Sequence, residues 1–263
     1  MKKYILDIMY DGTEYSGWQI QHHSTTIQQL VQNAVRTLVR EEVNVIGSGR
    51  TDAGVHALGQ IAHFRCTCEQ NTQYLLKALN GILPKDIRVR QVQEVDIGFH
   101  AQKSAYAKEY HYHLVLGPIS TPFERQYVWR VPYTIDQTLL QKACAEFVGT
   151  HDFRSFANSA DYGAAAKNSV RTIIKIDIVP RENGLTLVFQ ANGFLYKMVR
   201  NIVGMLIAVA SGKKQLSDIS RIFAAKDRRL APMSAPPQGL FLVKVFYPDS
   251  PDTAHTDDED SPE

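Results

Sequence analysis

The order in which strand and helix patterns follow one another is the feature that most restricts how this chain can fold. Residues 3–10 alternate polar and apolar side chains, which predicts a strand, and residues 27–39 repeat apolar side chains at helical spacing. The next patterns predict two strands, a helix and a strand, at residues 43–46, 60–66, 74–81 and 87–95. The first hundred residues therefore run β-α-β-β-α-β, the order of a ferredoxin-like unit.

The second half of the chain repeats this order with insertions. Its patterns predict a strand at 104–116, a helix at 139–148, strands at 172–179 and 185–192, helices at 195–210 and from 217, and a strand at 240–247. We therefore predict an α+β fold of two ferredoxin-like (RRM-like) halves. The halves would share one long mixed or antiparallel sheet with helices on one face and a central cleft. The predicted domains are residues 1–99 and 100–248.

Local signals mark the ends of several helices. Thr25 and Gln28 have the spacing of a capping box before the first helix, and Asp136 is a candidate cap for the third. Gly81 is placed to end the second helix, because glycine readily adopts the conformation that closes a helix.

Charge is distributed unevenly along the chain. All 29 Lys and Arg residues precede residue 249, whereas seven of the 27 acids lie in residues 249–263, so the body carries +9 and the end of the chain −7. The acidic end, which also contains Ser, Pro and Thr, predicts a disordered tail. A basic body suits a polyanionic partner, nucleic acid first, although a solvated basic surface would carry the same charge.

Composition favours a globular protein in water. The chain has 44% hydrophobic and 21% charged residues, and no apolar run approaches the roughly 20 residues that cross a bilayer. The amino terminus lacks the apolar core of a signal peptide. We therefore expect a soluble, cytoplasmic protein with no membrane partner.

The densest group of unusual residues is a glycine-rich loop at residues 47–60. Glycines allow the backbone to take positive φ and to approach a ligand closely. The loop contains Arg50 and Asp52, two positions apart, so their side chains could pair. One interpretation is an oriented carboxylate that acts as nucleophile, base or metal ligand, and the other is a salt bridge that braces the turn.

The strand at 104–116 carries three tyrosines and a lysine at a period of two, namely Tyr106, Lys108, Tyr110 and Tyr112. Aromatic rings that alternate with a cation can stack a base beside a phosphate. The alternative is a sheet face that is buried under helices, with the tyrosine hydroxyls at its rim.

Arg200 lies on an otherwise apolar helix and needs a carboxylate or solvent. It either pairs with Asp52 across the cleft or extends to surface water. Histidines such as His111, His113 and His151 lack the spacing of metal ligands, and the glycine-rich loop lacks a Walker pattern, so we expect no metal site and no nucleoside triphosphate chemistry.

Residues 50–56, RTDAGVH, resemble the catalytic loop of the tRNA pseudouridine synthase A family, enzymes that convert uridine to pseudouridine in the anticodon stem-loop. The resemblance extends to YDGTEYSGWQ (10–19), NGILPKDI (80–87), FHA (99–101), KEYHY (108–112), HDFRSF (151–156) and FLYKMVRNIVG (194–204). It implies modification of tRNA positions 38, 39 and/or 40, no metal or organic cofactor, and a homodimer in which both subunits contact tRNA.

The same resemblance implies roles for individual residues. Asp52 matches the catalytic aspartate, Arg50 the arginine beside it, and Arg200 an arginine that pairs with the aspartate. The candidate substrate-binding residues are Tyr110, which matches the tyrosine that contacts the target base, Lys108 and His56. The aspartate could attack ribose C1′, add to uracil C6, or remove a sugar proton to give a glycal, and residue types leave all three routes open.

Two other classes of function stay open. A non-catalytic RNA-binding or RNA-chaperone protein of the same fold would need only the basic body and the stacking strand. A metal-dependent hydrolase would be inhibited by chelators, and we expect no such inhibition.

Overall fold

The computed structural model describes residues 1–67, 69–158 and 168–248. Within these ranges the chain forms one ten-stranded sheet. The strands are β1 (Lys2–Tyr10), β2 (Ile46–Gly47), β3 (His56–Cys66), β4 (Ile87–Val95), β5 (Ala107–Leu116), β6 (Trp129–Val131), β7 (Gly149–Asp152), β8 (Val170–Arg181), β9 (Gly184–Ala191) and β10 (Leu240–Phe246). The acidic tail predicted for 249–263 lies outside the described residues.

The described α-helices are α1 (Ile27–Val39), α2 (Thr72–Ile82), α3 (Gln137–Ala145), α4 (Met198–Ala210) and α5 (Ser217–Ala225). None of them has both the length and the apolar character that crossing a membrane requires. The α+β class predicted from the sequence is confirmed.

The sheet shows that the two halves are built alike. Its strands lie in the order β4-β1-β3-β10-β5-β9-β8-β7, and β2 pairs with the far end of β3. In the first half β4 lies beside β1, β1 beside β3, and β3 beside β2. In the second half β10 lies beside β5, β5 beside β9, and β9 beside β8, which is the same arrangement. The predicted ferredoxin-like halves in one open sheet are therefore confirmed, whereas the domain boundary between residues 99 and 100 stays a prediction.

Strand β10 joins the halves. It pairs parallel with β3, where Phe241 lies opposite His56, and antiparallel with β5, where Leu242 lies opposite Tyr110. The last strand of the second half thus lies directly against the third strand of the first half. This pairing fixes the loop before β3 close to the helices of the second half.

The core follows from the alternation that the sequence displays. Tyr4, Leu6, Ile8 and Tyr10 of β1 are all buried on one face, and α1 buries its apolar side in the same cluster. Burial of this apolar surface is the main stabilising contribution to each half. Helix α4 is buried on almost all sides, which accounts for its nearly continuous apolar sequence.

The second strand is much shorter than predicted. Residues 43–46 carry the valines of a strand, yet only Ile46–Gly47 pairs with β3. The reason is that side chains of α1 take the backbone groups of this segment. Gln32 Oε1 accepts from the Val45 amide at 3.0 Å, and Gln28 Nε2 donates to the Val45 carbonyl at 2.7 Å.

Helix ends also differ from the local signals. The cap of α1 is Thr26 rather than Thr25, and its hydroxyl accepts from the amide of Gln29. Gly81 lies inside α2, which ends because Leu83 precedes a proline and takes an extended conformation. The cap predicted at Asp136 is confirmed, since its carboxylate accepts from the Leu139 amide at 3.0 Å.

Two helical glycines provide a test of this packing. A Cβ on Gly204 of α4 would lie 2.2 Å from the Met233 carbonyl oxygen, whereas a Cβ on Gly81 of α2 would meet nothing within 4 Å. We expect Gly204→Ala to lower the free energy of unfolding by about 1–3 kcal/mol through overpacking. Gly81→Ala should instead raise it, by up to about 1 kcal/mol.

Denaturant titration of both variants beside the native protein measures these changes. Equal stability of the two variants would contradict the close approach of residues 231–235 to α4.

Candidate active site

Asp52 lies in the loop between β2 and β3, and the loop is shaped by close contacts with residues 10–19. The Trp18 amide donates to the Thr51 carbonyl at 3.1 Å, and the Val55 amide donates to the Asp52 carbonyl at 3.1 Å. Gly17 has φ +87°, and a Cβ there would lie 2.5 Å from the Thr51 carbonyl oxygen. Only glycine fits this position, so residues 10–19 form the base on which the loop rests.

Buried side chains hold the loop from below. The Tyr10 hydroxyl lies 2.7 Å from the Thr51 hydroxyl. Ser48 donates to Gln60 Oε1 at 2.7 Å, and Gln60 Nε2 donates to the Gly49 carbonyl at 2.9 Å. These bonds fix the backbone on both sides of Arg50, and sequence analysis did not identify them. The signal for Gln60 was its place among apolar residues on the inward face of β3.

Asp52 and Arg200 form an ion pair across the cleft between the halves. Arg200 Nη1 donates to Asp52 Oδ2 at 2.7 Å, and Arg200 Nε donates to the Ala235 carbonyl at 2.8 Å. The two side chains are 16% and 11% exposed, so the pair is shielded without being sealed from solvent. The structure thus brings Arg200 to the carboxylate, and the alternative of a surface arginine does not apply.

Only one of the two carboxylate oxygens of Asp52 accepts a hydrogen bond from a described residue. Oδ2 accepts the Arg200 bond, whereas Oδ1 accepts no hydrogen bond from any residue in the described ranges. A carboxylate held by one oxygen is oriented and keeps the other available to a reacting atom.

Arg50 does not form the local pair with Asp52 that the sequence suggested. Its side chain is exposed, and it makes no ion pair with a described acid. The charge of Asp52 is already compensated by Arg200, and a second pair in solvent would add at most about 1 kcal/mol. Arg50 is therefore free to move toward a ligand.

Tyr110 lies next to the ion pair on β5. Its ring packs edge-on against Phe194 at 5.0 Å, and burial raises its pKa, with Tyr10 and Asp52 adding to the shift. The hydroxyl makes no hydrogen bond to a described residue. The Tyr110 side chain is itself buried, with 7% of its surface exposed. Tyr110 is a neutral phenol at the wall of the cleft.

The other two tyrosines of the predicted strand at 104–116 do not extend a stacking surface. Tyr112 is fully buried and donates to the Pro236 carbonyl at 2.8 Å, as the alternative of a buried sheet face required. Tyr106 lies before the strand, is 55% exposed and packs beside Phe246. The predicted row of rings is therefore reduced to Tyr110, with Phe194 as a neighbour that sequence analysis did not assign.

Lys108 points at the loop rather than into solvent. Its Nζ donates to the Ser48 carbonyl at 2.6 Å, and burial lowers the pKa of Lys108 to about 8. The lysine predicted to bind substrate is thus a largely buried cation beside the residue that precedes Gly49.

His56 is positioned for a structural role. It is 1% exposed, its Nδ1 accepts from the Gly12 amide at 3.1 Å, and its Nε2 lies 3.0 Å from the Gln126 carbonyl oxygen. Burial lowers the pKa of His56, although Asp11 nearby opposes this. Both ring nitrogens contact protein groups, so His56 helps to hold the start of β3, and its contact with substrate stays a prediction.

The histidines in the described ranges do not assemble a metal centre. His111 lies 2.9 Å from a Glu109 oxygen, and His113 lies 2.8 Å from the Thr186 hydroxyl. Across the described part of the chain, no group of three or more His, Cys, Asp or Glu side chains is arranged to hold a metal ion.

Comparison with known proteins identifies the family. The family model described as tRNA pseudouridine synthase matches residues 8–102 and 143–248. These ranges contain Asp52, Arg200 and the loop, whereas Lys108 and Tyr110 fall between them.

Named relatives agree with the family model. The tRNA pseudouridine synthase A 1 of Protochlamydia amoebophila (strain UWE25) is 54% identical over 248 residues, which are 94% of this chain and 97% of that protein. The tRNA pseudouridine synthase A of Limosilactobacillus reuteri (strain DSM 20016) is 44% identical over 252 residues, 94% of this chain and 97% of that protein. That of Chlamydia trachomatis serovar L2b (strain UCH-1/proctitis) is 43% identical over 250 residues, 94% and 92% respectively.

A family model that spans most of the chain and relatives that align along nearly its whole length lead to one conclusion. The chain belongs to the tRNA pseudouridine synthase family, whose members are isomerases that act on tRNA.

Proposed function

We propose that this protein converts uridine to pseudouridine at position 38, 39 and/or 40 of the tRNA anticodon stem-loop, with Asp52 as the nucleophile. The observation that carries the proposal is the Asp52 carboxylate in the cleft between the halves. It is held through one oxygen by Arg200, and its other oxygen is open. We choose tRNA positions 38, 39 and/or 40 because the motifs around Asp52 resemble those of the tRNA pseudouridine synthase A family.

The first step is extrusion of the target uridine. Removing a base from its stack costs a few kcal/mol, which new contacts must offset. Arg50 is exposed and unpaired among the described residues, so its guanidinium can fill the space that the base leaves. Tyr110 and Phe194 supply the aromatic wall against which the extruded uracil stacks.

The chemical steps follow from the placement of charge. In each of the three routes the bond between uracil N1 and ribose C1′ breaks, the base turns, and uracil C5 bonds to C1′. The proton on C5 then leaves and N1 gains a proton, so the reaction is an isomerisation. Breakage develops negative charge on the uracil, and a guanidinium from Arg50 or Arg200 stabilises this charge more than the ground state. The hydroxyl of Tyr110 stays protonated at neutral pH, because its pKa is raised, and so can donate a hydrogen bond to the base.

The partners follow from charge and resemblance. A body that carries +9 attracts the phosphates of tRNA. We also propose, from the resemblance, a cytoplasmic homodimer in which both subunits contact the tRNA. The alternative of a non-catalytic RNA-binding protein accounts for the charge but gives no use to a carboxylate that faces a polyanion.

Replacing Asp52 separates these two functions. We expect Asp52→Asn to abolish pseudouridine formation in unmodified tRNA while tRNA affinity stays within a few-fold, because the amide keeps the shape but is not a nucleophile. Chemical mapping of pseudouridine and a binding titration measure the two quantities. Asp177→Asn, on the exposed part of β8, is the matched control and should retain turnover. Turnover by Asp52→Asn would remove the proposed nucleophile.

Arg50 is tested by a conservative change. Arg50→Lys keeps the charge but loses the planar fork, so we expect turnover to fall by about 100-fold or more. The free energy of unfolding should not change, since Arg50 contacts no described acid. Single-turnover rates with saturating enzyme report this step. If the rate equals that of the native protein, Arg50 has no part in extrusion or charge stabilisation.

Arg200 uses two nitrogens at once, and lysine cannot reproduce this. In Arg200→Lys one ammonium would have to serve both Asp52 and the Ala235 carbonyl, so the carboxylate loses its orientation. We expect kcat to fall by about 100-fold with little change in KM. Arg221→Lys, an exposed arginine that pairs with Asp218, is the control. A lower affinity with unchanged kcat would show that Arg200 acts on RNA binding alone.

A further inference from the structure

Two cations close to the cleft have no acidic partner among the described residues. Lys108 and Arg171 make no ion pair with any acid in the described ranges. Burial lowers the pKa of both groups. The positive charge of Arg171 lowers the pKa of Lys108 further, because like charges repel. Partly buried cations usually have a paired acid, so an uncompensated pair is costly in the free protein.

The sheet places these two cations on one face. Lys108 of β5 lies opposite Ala191 of β9, and Ala191 lies opposite Ile173 of β8. Arg171 is two positions before Ile173 and therefore has its side chain on the same face. This is also the face that carries Tyr110, two positions after Lys108.

Each cation keeps open hydrogen-bond donors. Lys108 uses one bond to the Ser48 carbonyl, and an ammonium has three donors. Arg171 uses only Nη1, which donates to the carbonyls of Asn168 and Val170. Its Nε and Nη2, the edge that can bind an oxyanion through two parallel bonds, donate to no described residue.

Glycines keep the approach to both cations clear. A Cβ on Gly49 would lie 2.9 Å from Lys108 Nζ, and a Cβ on Gly193 would lie 3.5 Å from Arg171 Nε. Gly49 immediately precedes Arg50, and Gly193 immediately precedes Phe194. Lys108 therefore lies near Arg50, and Arg171 lies near Phe194, the two residues that we expect to contact the extruded uridine or the space it leaves.

We propose that Lys108 and Arg171 together bind a phosphodiester group, the one that adjoins the extruded uridine. The identification of the polyanion as tRNA rests on the proposed function. The observation that the two cations pair with no described acid does not depend on that function. A phosphate between them would cancel their charge and accept from their open donors. It would also fix the ribose of the target nucleotide relative to Asp52, because the phosphate is bonded to that ribose.

The test is a binding experiment in the Asp52→Asn protein, so that turnover does not interfere. The probe is an anticodon stem-loop RNA with uridines at positions 38–40, and the variants are Lys108→Gln and Arg171→Gln. Each should lower affinity about tenfold, since one charge-assisted bond is lost, and should reduce the salt dependence by the share of about one phosphate. Lys142→Gln, on the exposed side of α3, is the control for charge alone.

Neutral methylphosphonate linkages then locate the contact. We expect one linkage next to the target uridine whose neutralisation weakens binding to the parent protein more than it weakens binding to Lys108→Gln or Arg171→Gln, because each variant has already lost one of the two contacts to that phosphate. If every linkage weakens all variants equally, the proposal is overturned. Arg171→Gln keeps the test decisive should Lys108→Gln fail to fold.

The outcome is independent of catalysis. If the variants couple to one linkage but the native protein, which keeps Asp52, makes no pseudouridine, the phosphate site is supported and the proposed function is rejected. Pseudouridine formation without any coupling would do the reverse.

Discussion

The ion pair between Asp52 and Arg200 is the interaction on which the candidate active site depends. Its two members come from different halves, one from the loop before β3 and the other from α4. They meet because β10 pairs with β3 on one side and with β5 on the other. Strand pairing thus supplies the rigid frame, and the loop and helix carry the charges to the junction. Neither charge is left without a partner, which removes most of the cost of shielding them from water.

The loop that carries Asp52 is bonded on its inner side and open on its outer side. Below it, Tyr10, Thr51, Ser48 and Gln60 form buried hydrogen bonds that fix the backbone. On the outer side, Arg50, one oxygen of Asp52 and the Tyr110 hydroxyl have no described partner. Such a division holds reactive groups in place before a substrate arrives and leaves their donors and acceptors to the substrate.

The sequence predicted the order of elements well, because periods of two and 3.6 are local properties. It failed where a distant side chain competes for the backbone. The valines at 43–45 suggest a strand, yet Gln28 and Gln32 of α1 take the hydrogen bonds that a strand would use. Whether Arg200 reaches Asp52 is a question of the same kind, since only the pairing of β10 with β3 decides it.

The candidate site shows the same limit. Asp52, Arg200 and Tyr110 came from motifs and are brought together in the cleft. Residue type alone did not show that both ring nitrogens of His56 contact protein groups. Arg171 carried no motif, and its place beside Lys108 follows only from the register of β8, β9 and β5.

A crystal structure of the Asp52→Asn variant bound to an anticodon stem-loop RNA would show directly whether the target uridine reaches position 52. We expect one uridine of positions 38–40 to be turned out of its stack into the cleft, with its ribose or uracil ring within about 4 Å of the side chain at position 52. A bound RNA whose uridines all remain stacked, or an extruded uridine held far from position 52, would contradict this expectation.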